Sequence, residues 1–288
     1  MDDNIKIISD EILNLAPEIN STIKKLFNTK KNFGKLNFEN FKSGAQDITT
    51  ELDHQIGQMY IKNIFNRHKE LLTIDSEENS ERIGDGKITL RFDPLDGTKH
   101  LFKSIPILSS TMTVLSEKIP VFAMVLDIFA ENLYHAYKDN GAFLNSRKIN
   151  TANASIKTEF SFTMFESPNS KFFADNPIEY ALYEKKLNLI TKMAYRMRNI
   201  GLSSLSICYV ADGAAVAFVD FSKATKIYDV EAALLIASES GVIIGDIDGK
   251  VFNEIKFSNE GVKKLESSLV VANPIAFNEI ATIFSKVS

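Results

Sequence analysis

The sequence is poor in cysteine, has no tryptophan, and contains no run of the roughly 18–20 apolar residues that a membrane-spanning helix needs. Its one cysteine, Cys208, excludes a disulfide framework within the chain and a cysteine-based zinc site. The surrounding stretch Leu205–Val210 predicts a buried helix face and an inert thiol. The first residues are acidic and no apolar segment follows them, so we predict no signal peptide and expect a soluble, cytoplasmic protein.

Positive charge is also in short supply. The chain has 33 Lys and Arg against 37 Asp and Glu, which gives a net charge of −4. Proteins that bind nucleic acids or anionic membranes usually carry more Lys and Arg than Asp and Glu. Neither a nucleic-acid polymer nor a membrane is therefore an expected partner. The sequence also lacks the Gly-x4-Gly-Lys-[Ser/Thr] motif, which excludes a P-loop nucleotide binder.

What the sequence does contain is periodic apolar patterning in a chain of 288 residues, 44% of them hydrophobic. This is enough to bury a core, in one large domain or in two fused ones. Apolar residues three and four apart predict an amphipathic helix over residues 4–28, which Pro17 kinks or splits. A second helix is predicted from Thr50 to Phe65.

Strands dominate the middle of the chain. Thr89–Phe92 predicts a short strand that ends at Asp93-Pro94, and residues 111–115, 121–128 and 133–137 predict an antiparallel meander. The second half alternates predicted strands with predicted helices, the latter over residues 177–193, 203–212, 229–240 and the C-terminus. Layered sheets with helices packed on them are the natural solution for such a pattern. The polar stretch Asn150–Lys157 predicts a boundary between halves 1–155 and 156–288.

The segment from Asp93 to Thr98, Asp-Pro-Leu-Asp-Gly-Thr, combines several features that suit phosphate chemistry. Asp93 and Asp96 lie three residues apart across a turn that Pro94 stiffens, so their carboxylates can face one point. Gly97 permits close approach of a ligand, and the N–H groups of Gly97 and Thr98 would open the following helix as an anion site. Two hard carboxylates beside an anion site suit a Mg²⁺-assisted phosphate reaction. An ordinary strand, turn and helix cap would give the same pattern.

Other charged positions also have both a structural and a functional interpretation. Asp53 fits a capping box that starts at Thr50, or a catalytic carboxylate. Glu77 fits a solvated acidic turn or a metal ligand, and Asp229 fits a plain helix N-cap or a ligand. Lys42, considered alone, is interpreted as a surface lysine, with a role near the site as the alternative. The structural interpretations are independent of one another, whereas one phosphatase site accounts for all of these positions together.

These positions carry a resemblance to the inositol monophosphatase superfamily of metal-dependent, lithium-sensitive phosphatases. Four motifs occur in the family's order over most of the chain, and the central one, from Asp93 to Thr98, matches in full. The others are Lys42-Ser43 with Asp47-Ile48-Thr49 and Asp53, Asp75-Ser76-Glu77-Glu78-Asn79 with serine in place of glycine, and Tyr228-Asp229 with tyrosine in place of tryptophan. The resemblance implies an α/β (α+β) layered αβαβα sandwich with mixed and antiparallel sheets, and a homodimer.

The resemblance also implies a role for each matched residue. It implies two or three Mg²⁺ ions, one held by Glu77, Asp93 and the carbonyl of Leu95, and one held by Asp93, Asp96 and Asp229. It implies that Asp53 and Thr98 orient and deprotonate the attacking water and that Glu77 takes part in catalysis. The implied substrate contacts are Gly97, Thr98, Lys42, Lys99, Gly201 and Ser203.

The residues after the central motif bear on the substrate. Lys99-His100-Leu101 resembles the 3′(2′),5′-bisphosphate nucleotidases and some histidinol-phosphate phosphatases, and Lys99 suits a second phosphate. Ile105-Pro106 is more similar to the inositol or histidinol phosphatases. The predicted substrate is a 3′(2′),5′-bisphosphate nucleotide, with inositol monophosphate and histidinol phosphate as alternatives. His100 is a candidate for the pocket mouth.

A non-catalytic interaction protein is the alternative from another class. A chain that had become purely a binder could have lost Asp53, Asp93 or Asp96, and this chain retains all three.

Overall fold

Two mixed sheets and the helices packed on them make up the part of the chain that the computed structural model describes, residues 2–29, 51–78, 82–167, 174–221, 225–253, 264–265 and 267–285. The helices are α1 (Asp3–Thr29), α2 (Glu51–Asn63), α3 (Thr98–Phe102), α4 (Pro177–Met193), α5 (Ser203–Ala211), α6 (Ile227–Ser238) and α7 (Pro274–Phe284). The strands are β1 (Leu72–Ser76), β2 (Ile88–Asp96), β3 (Ser109–Ser116), β4 (Ile119–Asp127), β5 (Asn132–Tyr137), β6 (Gly141–Leu144), β7 (Arg147–Ile149), β8 (Thr163–Glu166), β9 (Met197–Arg198), β10 (Ala217–Asp220), β11 (Ile243–Gly245) and β12 (Leu269–Ala272).

The first sheet follows the order of the chain from β1 to β7. Strands β2 to β7 pair antiparallel, which confirms the predicted meander, and β1 pairs parallel with β2. The second sheet has the order β11-β12-β10-β8-β9, with β10, β8 and β9 parallel. Strand β1 was not predicted from the sequence. Its residues Leu72-Thr73-Ile74-Asp75 alternate apolar and polar side chains, but over four positions only, and all five residues of the strand are buried.

Side-chain alternation along the strands creates the layers. In β4, Phe122 and Met124 join a core cluster with α1 and α2, whereas Ala123 and Val125 join a second cluster with α5 and α6. In β12 of the second sheet, Leu269 and Val271 face this second cluster. Val270 and Ala272 join a third cluster with α4 and α7. The order is therefore helices, sheet, helices, sheet, helices, and the predicted fold class is confirmed.

The first predicted helix is a single helix, α1, and Pro17 does not split it. Ile8, Ile12 and Ile19 are fully buried, as their spacing predicts, while Pro17 lies on the exposed side. The one intrahelical hydrogen bond that proline removes is therefore lost where water can replace it.

The strands of the first sheet come from residues 72–149 and those of the second from residues 163–272. The division at residue 155 stays a prediction.

The prediction that a strand ends at Asp93-Pro94 is wrong. Strand β2 continues to Asp96, and its register against β3 shifts between Asp93 and Asp96. Because Pro94 has no N–H to donate, it cannot extend a regular ladder, and a bulge accommodates it. None of the described helices is long and apolar enough to cross a membrane.

Candidate active site

Glu77, Asp93 and Asp229 converge where β1, β2 and α6 meet. One carboxylate oxygen of each lies within 4.8 Å of the others. Asp93 is buried in β2, whereas Glu77, just after β1, and Asp229, in the first turn of α6, are partly buried. A set of carboxylate oxygens is what a hard cation such as Mg²⁺ prefers, so this group fits the predicted metal site.

Hydrogen bonds to backbone carbonyls hold the three ligand-bearing segments together. The N–H of Glu77 donates to the carbonyl of Phe92 at 3.1 Å, which extends the β1–β2 ladder by one residue. The Thr111 hydroxyl of β3 donates to the carbonyl of Tyr228 at 2.9 Å. The residue before Asp229 is thereby fixed to the first sheet. Asp229 is not the N-cap of α6, a position that Lys226 occupies.

Asp96 lies beside this group and is held by two serines. Its Oδ2 accepts from Ser204 Oγ at 2.5 Å and from Ser109 Oγ at 3.3 Å. Burial raises the pKa of Asp96 to about 6; the charges of Glu77 and Glu166 add to this effect and the two serine hydroxyls oppose it. The buried serines thus favour the ionised form that a metal ligand needs.

The site is electrostatically unbalanced in favour of negative charge. Burial and the neighbouring carboxylates raise the pKa values of Asp93 and Asp229 well above the usual range. Lys226 Nζ lies 2.8 Å from Glu77 Oε1 and contributes one positive charge. Four carboxylates against one ammonium leave a negative surplus that divalent cations would neutralise.

Asp53 and Thr98, the predicted catalytic pair, are in contact. Thr98 Oγ1 lies 3.2 Å from Asp53 Oδ1 and 3.0 Å from the carbonyl oxygen of Leu95. Because the hydroxyl has a single proton, these two acceptors share it. Asp53 is fully buried in α2. Leu95 is also a predicted ligand, and its carbonyl retains a second lone pair for a cation.

Gly97 occupies a position that only glycine fits. Its φ of 100° is in the left-handed region, and an added Cβ would lie 2.9 Å from the carbonyl oxygen of Ile107. Gly97 precedes α3, so its backbone stands where the sequence predicts phosphate binding. No side chain of the described residues caps this helix start.

The predicted substrate residues fall on two neighbouring segments. A Cβ on Gly201 would lie 2.9 Å from His100 Cε1, so the loop before α5 contacts α3, where Lys99 is exposed. Ser203 is buried at the first position of α5, and it is the next residue, Ser204, that contacts Asp96. Lys42 and the segment Asp47-Ile48-Thr49 lie outside the described residues.

Asp220 does not present a free carboxylate to a substrate. It is fully buried at the end of β10 and accepts from Thr225 Oγ1 at 2.6 Å. Sequence reasoning assigned neither Lys226 nor Ser204 a contact with the clustered carboxylates. Lys226 carries a signal in retrospect, since a cation three residues before Asp229 lies about one helical turn from it.

The pKa of Asp96 gives a pH prediction for the metal-free protein. An acid whose pKa is about 6 when folded and about 3.9 when unfolded stabilises the fold below pH ~4, and this contribution is lost as pH rises towards 6. Metal binding requires the carboxylate, so stabilisation by Mg²⁺ should instead grow over the same window. In EDTA, we therefore expect the Tm of wild type, relative to the Tm of Asp96→Asn, to fall as pH rises from about 4 towards 6. The measurement is differential scanning calorimetry from pH 4 to 7; a difference that is constant with pH would contradict the assignment.

The chain is similar to known proteins in sequence and in fold. The model of the inositol monophosphatase family matches residues 8–288. A fructose-1,6-bisphosphatase/inositol-1-monophosphatase of Methanocaldococcus jannaschii is 27% identical over 92% of this chain and 94% of its own length. A bifunctional NADP phosphatase/NAD kinase of Methanococcus maripaludis is 26% identical over 94% of this chain and 48% of its own. Among solved structures, a staphylococcal inositol monophosphatase-1 in a lithium chloride-soaked inhibitory complex superposes with a TM-score of 0.75 and 20% identity, covering 99% and 96% of the two chains.

Proposed function

The chain is a member of the inositol monophosphatase family and a phosphatase, and from this premise we propose that it hydrolyses a small phosphomonoester with Mg²⁺ bound by Glu77, Asp93 and Asp229. The observation that carries the proposal is the convergence of these three carboxylates within 4.8 Å; the contact between Asp53 and Thr98 supports it. Bound Mg²⁺ would supply charge neutralisation on the phosphate and a water of lowered pKa. Two or three ions remain part of the proposal, with Asp96 and the Leu95 carbonyl as further ligands.

The chain's own groups supply the remaining parts of the reaction. Asp53, buried and within 3.2 Å of the Thr98 hydroxyl, is the acceptor for the proton that the attacking water loses. The N–H groups of Gly97 and Thr98 bind the phosphate oxygens, in keeping with their place at a helix start. Phosphoryl transfer needs mainly positioning and charge stabilisation, so such a set of groups is sufficient.

For the substrate we propose a phosphomonoester that carries a second phosphate, with a 3′(2′),5′-bisphosphate nucleotide first. Lys99 directly follows Thr98 and is exposed, so its ammonium is available to a second anionic group. The relatives named for fructose 1,6-bisphosphate and for NADP support the same chemistry, since both compounds carry more than one phosphate. Inositol monophosphate is the second candidate, supported by the same Methanocaldococcus relative. Histidinol phosphate, a homodimer and a cytoplasmic location stay predictions.

A substrate panel tests the proposal. We expect phosphate release that Mg²⁺ stimulates and Li⁺ inhibits, with higher kcat/KM for 3′-phosphoadenosine 5′-phosphate and fructose 1,6-bisphosphate than for inositol 1-phosphate and histidinol phosphate. Lys99→Met should lower kcat/KM for the bisphosphates about 10-fold, in line with 1–2 kcal/mol for one exposed charge-assisted contact, and leave inositol 1-phosphate nearly unchanged.

Lys103→Met is the matched control, because Lys103 ends the same helix and lies over the Phe102 ring. A uniform loss across the panel for Lys99→Met would sink the second-phosphate proposal. Absence of Mg²⁺-stimulated release from every substrate would leave the non-catalytic interaction protein as the better description.

A further inference from the structure

Four polar residues accompany the carboxylates of the site, each one or two positions away from a proposed ligand. They are Asp75 before Glu77, Arg91 before Asp93, and Tyr228 and Glu231 on either side of Asp229. They sit on β1, β2 and around the start of α6, the same three segments that bring the ligands together.

Arg91 joins the three segments through two ion pairs. Its Nε donates to Asp75 Oδ2 at 2.9 Å, and its Nη1 donates to Glu231 Oε1 at 2.6 Å. Asp75 and Arg91 are also direct partners in the parallel β1–β2 ladder. The side chains of Arg91 and Asp75 are only 8% and 9% exposed, so water screens their pairing weakly.

Tyr228 links Asp75 to the segment that carries Asp229. Its hydroxyl donates to Asp75 Oδ1 at 2.8 Å, which leaves Oδ2 for Arg91 and, at 3.3 Å, for the exposed Arg82. Burial alone would raise the pKa of Asp75, but the donors from Tyr228 and Arg91 hold it below its usual value. Asp75 is therefore a carboxylate that accepts from two sides.

The arrangement couples the orientation of the ligands. Residues two apart in a strand project from the same face, so Arg91 and Asp93 share one side of β2. Fixing Arg91 between Asp75 and Glu231 restrains β1 and β2 against α6, and Tyr228 adds a restraint one residue from Asp229. Hydrogen-bonded partners of this kind typically hold metal ligands in their binding orientation, and losing one costs about 10–100-fold in metal affinity.

We propose that Asp75, Arg91, Tyr228 and Glu231 form a positioning network that sets the Mg²⁺ affinity of the site by holding β1, β2 and α6 in register. The inference rests on the proposed metal site and adds residues to it that touch neither the metal nor the substrate. It also gives a physical role to the tyrosine that stands where the family motif has tryptophan, because its hydroxyl is the group that binds Asp75.

Tyr228→Phe is the sharpest test, since it removes one hydroxyl and little volume. We expect the Kd for Mg²⁺, measured by calorimetric titration of the EDTA-treated, dialysed full chain, to rise at least about 10-fold. The Mg²⁺ concentration for half-maximal activity should rise in parallel, while kcat at saturating Mg²⁺ stays within about threefold of wild type.

Tyr134→Phe is the matched control. Tyr134 is buried and its hydroxyl donates to Asp212 Oδ2 at 2.7 Å, so this variant also loses one tyrosine–carboxylate hydrogen bond. Its Mg²⁺ Kd should remain that of wild type even if its Tm falls. Equal Mg²⁺ affinities for the two variants would overturn the proposal.

Arg91→Lys provides a second measurement that keeps the charge but loses the two-sided bridge. We expect the Kd for Mg²⁺ to rise in this variant too, while its circular dichroism spectrum remains that of the wild type. Failure of the wild type itself to bind Mg²⁺ would contradict the proposed function. A wild type that binds Mg²⁺ beside a Tyr228→Phe variant with unchanged Kd would contradict the network alone.

Discussion

Asp93→Asn is expected to reduce kcat at least about 10³-fold and, at the same time, to raise the Tm of the metal-free protein. The loss of activity follows from the position of Asp93, the buried member of the group of three carboxylates that lie within 4.8 Å of one another. A metal ion contributes several kcal/mol of charge stabilisation in such reactions, and each 1.36 kcal/mol is a factor of ten in rate.

The rise in Tm follows from the pKa of Asp93. Burial raises this pKa well above its usual value, and the charges of Glu77, Asp96 and Asp229 raise it further. The charged carboxylate is therefore unfavourable in the metal-free fold, and its contribution falls as pH rises from the unfolded value towards the folded one. Asparagine keeps the shape and removes the charge. Each 1 kcal/mol of relieved repulsion should raise the Tm by about 2–4 °C in a chain of this size.

Calorimetry at pH 7.5 with EDTA and with MgCl₂, together with turnover of the best substrate, measures both effects. Wild type should gain stability from Mg²⁺, and Asp93→Asn should gain much less. Asp212→Asn serves as the control, because Asp212 accepts from Tyr134 and is not one of the clustered carboxylates. An Asp93→Asn protein that turns over normally, or that melts earlier without metal, would contradict the placement of Asp93 at the centre of a metal site.

Local patterns in the sequence predicted layered sheets with helices packed on them, and the resemblance to the inositol monophosphatase superfamily indicated the carboxylates that the structure brings together. The spacing of isoleucines predicts α1 because a helix has to bury one face, and the short connectors predict the meander because antiparallel neighbours need little chain between them. Part of the geometry of the Asp-Pro-Leu-Asp-Gly-Thr motif is predictable, since Pro94 fixes φ before Asp96 and Gly97 permits the left-handed φ after it.

Contacts between distant segments could not be predicted in this way. Ser204 and Asp96 lie 108 positions apart, and Arg91 and Glu231 lie 140 apart. No local pattern distinguishes Ser204 from Ser203, because the turn of α5 that faces Asp96 depends on how the helix packs between the sheets. The extension of β2 past Pro94 was missed for the same reason: β3 is the partner that tolerates the bulge.

Asp53→Asn is expected to lower kcat about 10²–10⁴-fold while the Kd for Mg²⁺ stays close to that of wild type. Asp53 is not one of the clustered carboxylates Glu77, Asp93 and Asp229, and it accepts a hydrogen bond from the Thr98 hydroxyl at 3.2 Å. Asparagine preserves an acceptor oxygen for that hydroxyl but is far less basic than a carboxylate. The proton of the attacking water then has no base of suitable strength to accept it.

Variants of Thr98 separate this role from a structural one. Thr98→Ser keeps the hydroxyl and should retain kcat within about 10-fold, whereas Thr98→Val has the same shape without the hydroxyl and should lose nearly as much as Asp53→Asn. Because Asp53 and Thr98 act as one unit, the double variant Asp53→Asn/Thr98→Val should be little worse than either single variant. Single-turnover rates and Mg²⁺ titrations of the four variants measure this. Losses in rate that add in the double variant, or a Kd for Mg²⁺ that rises in Asp53→Asn as it does in Asp93→Asn, would place Asp53 among the metal ligands instead.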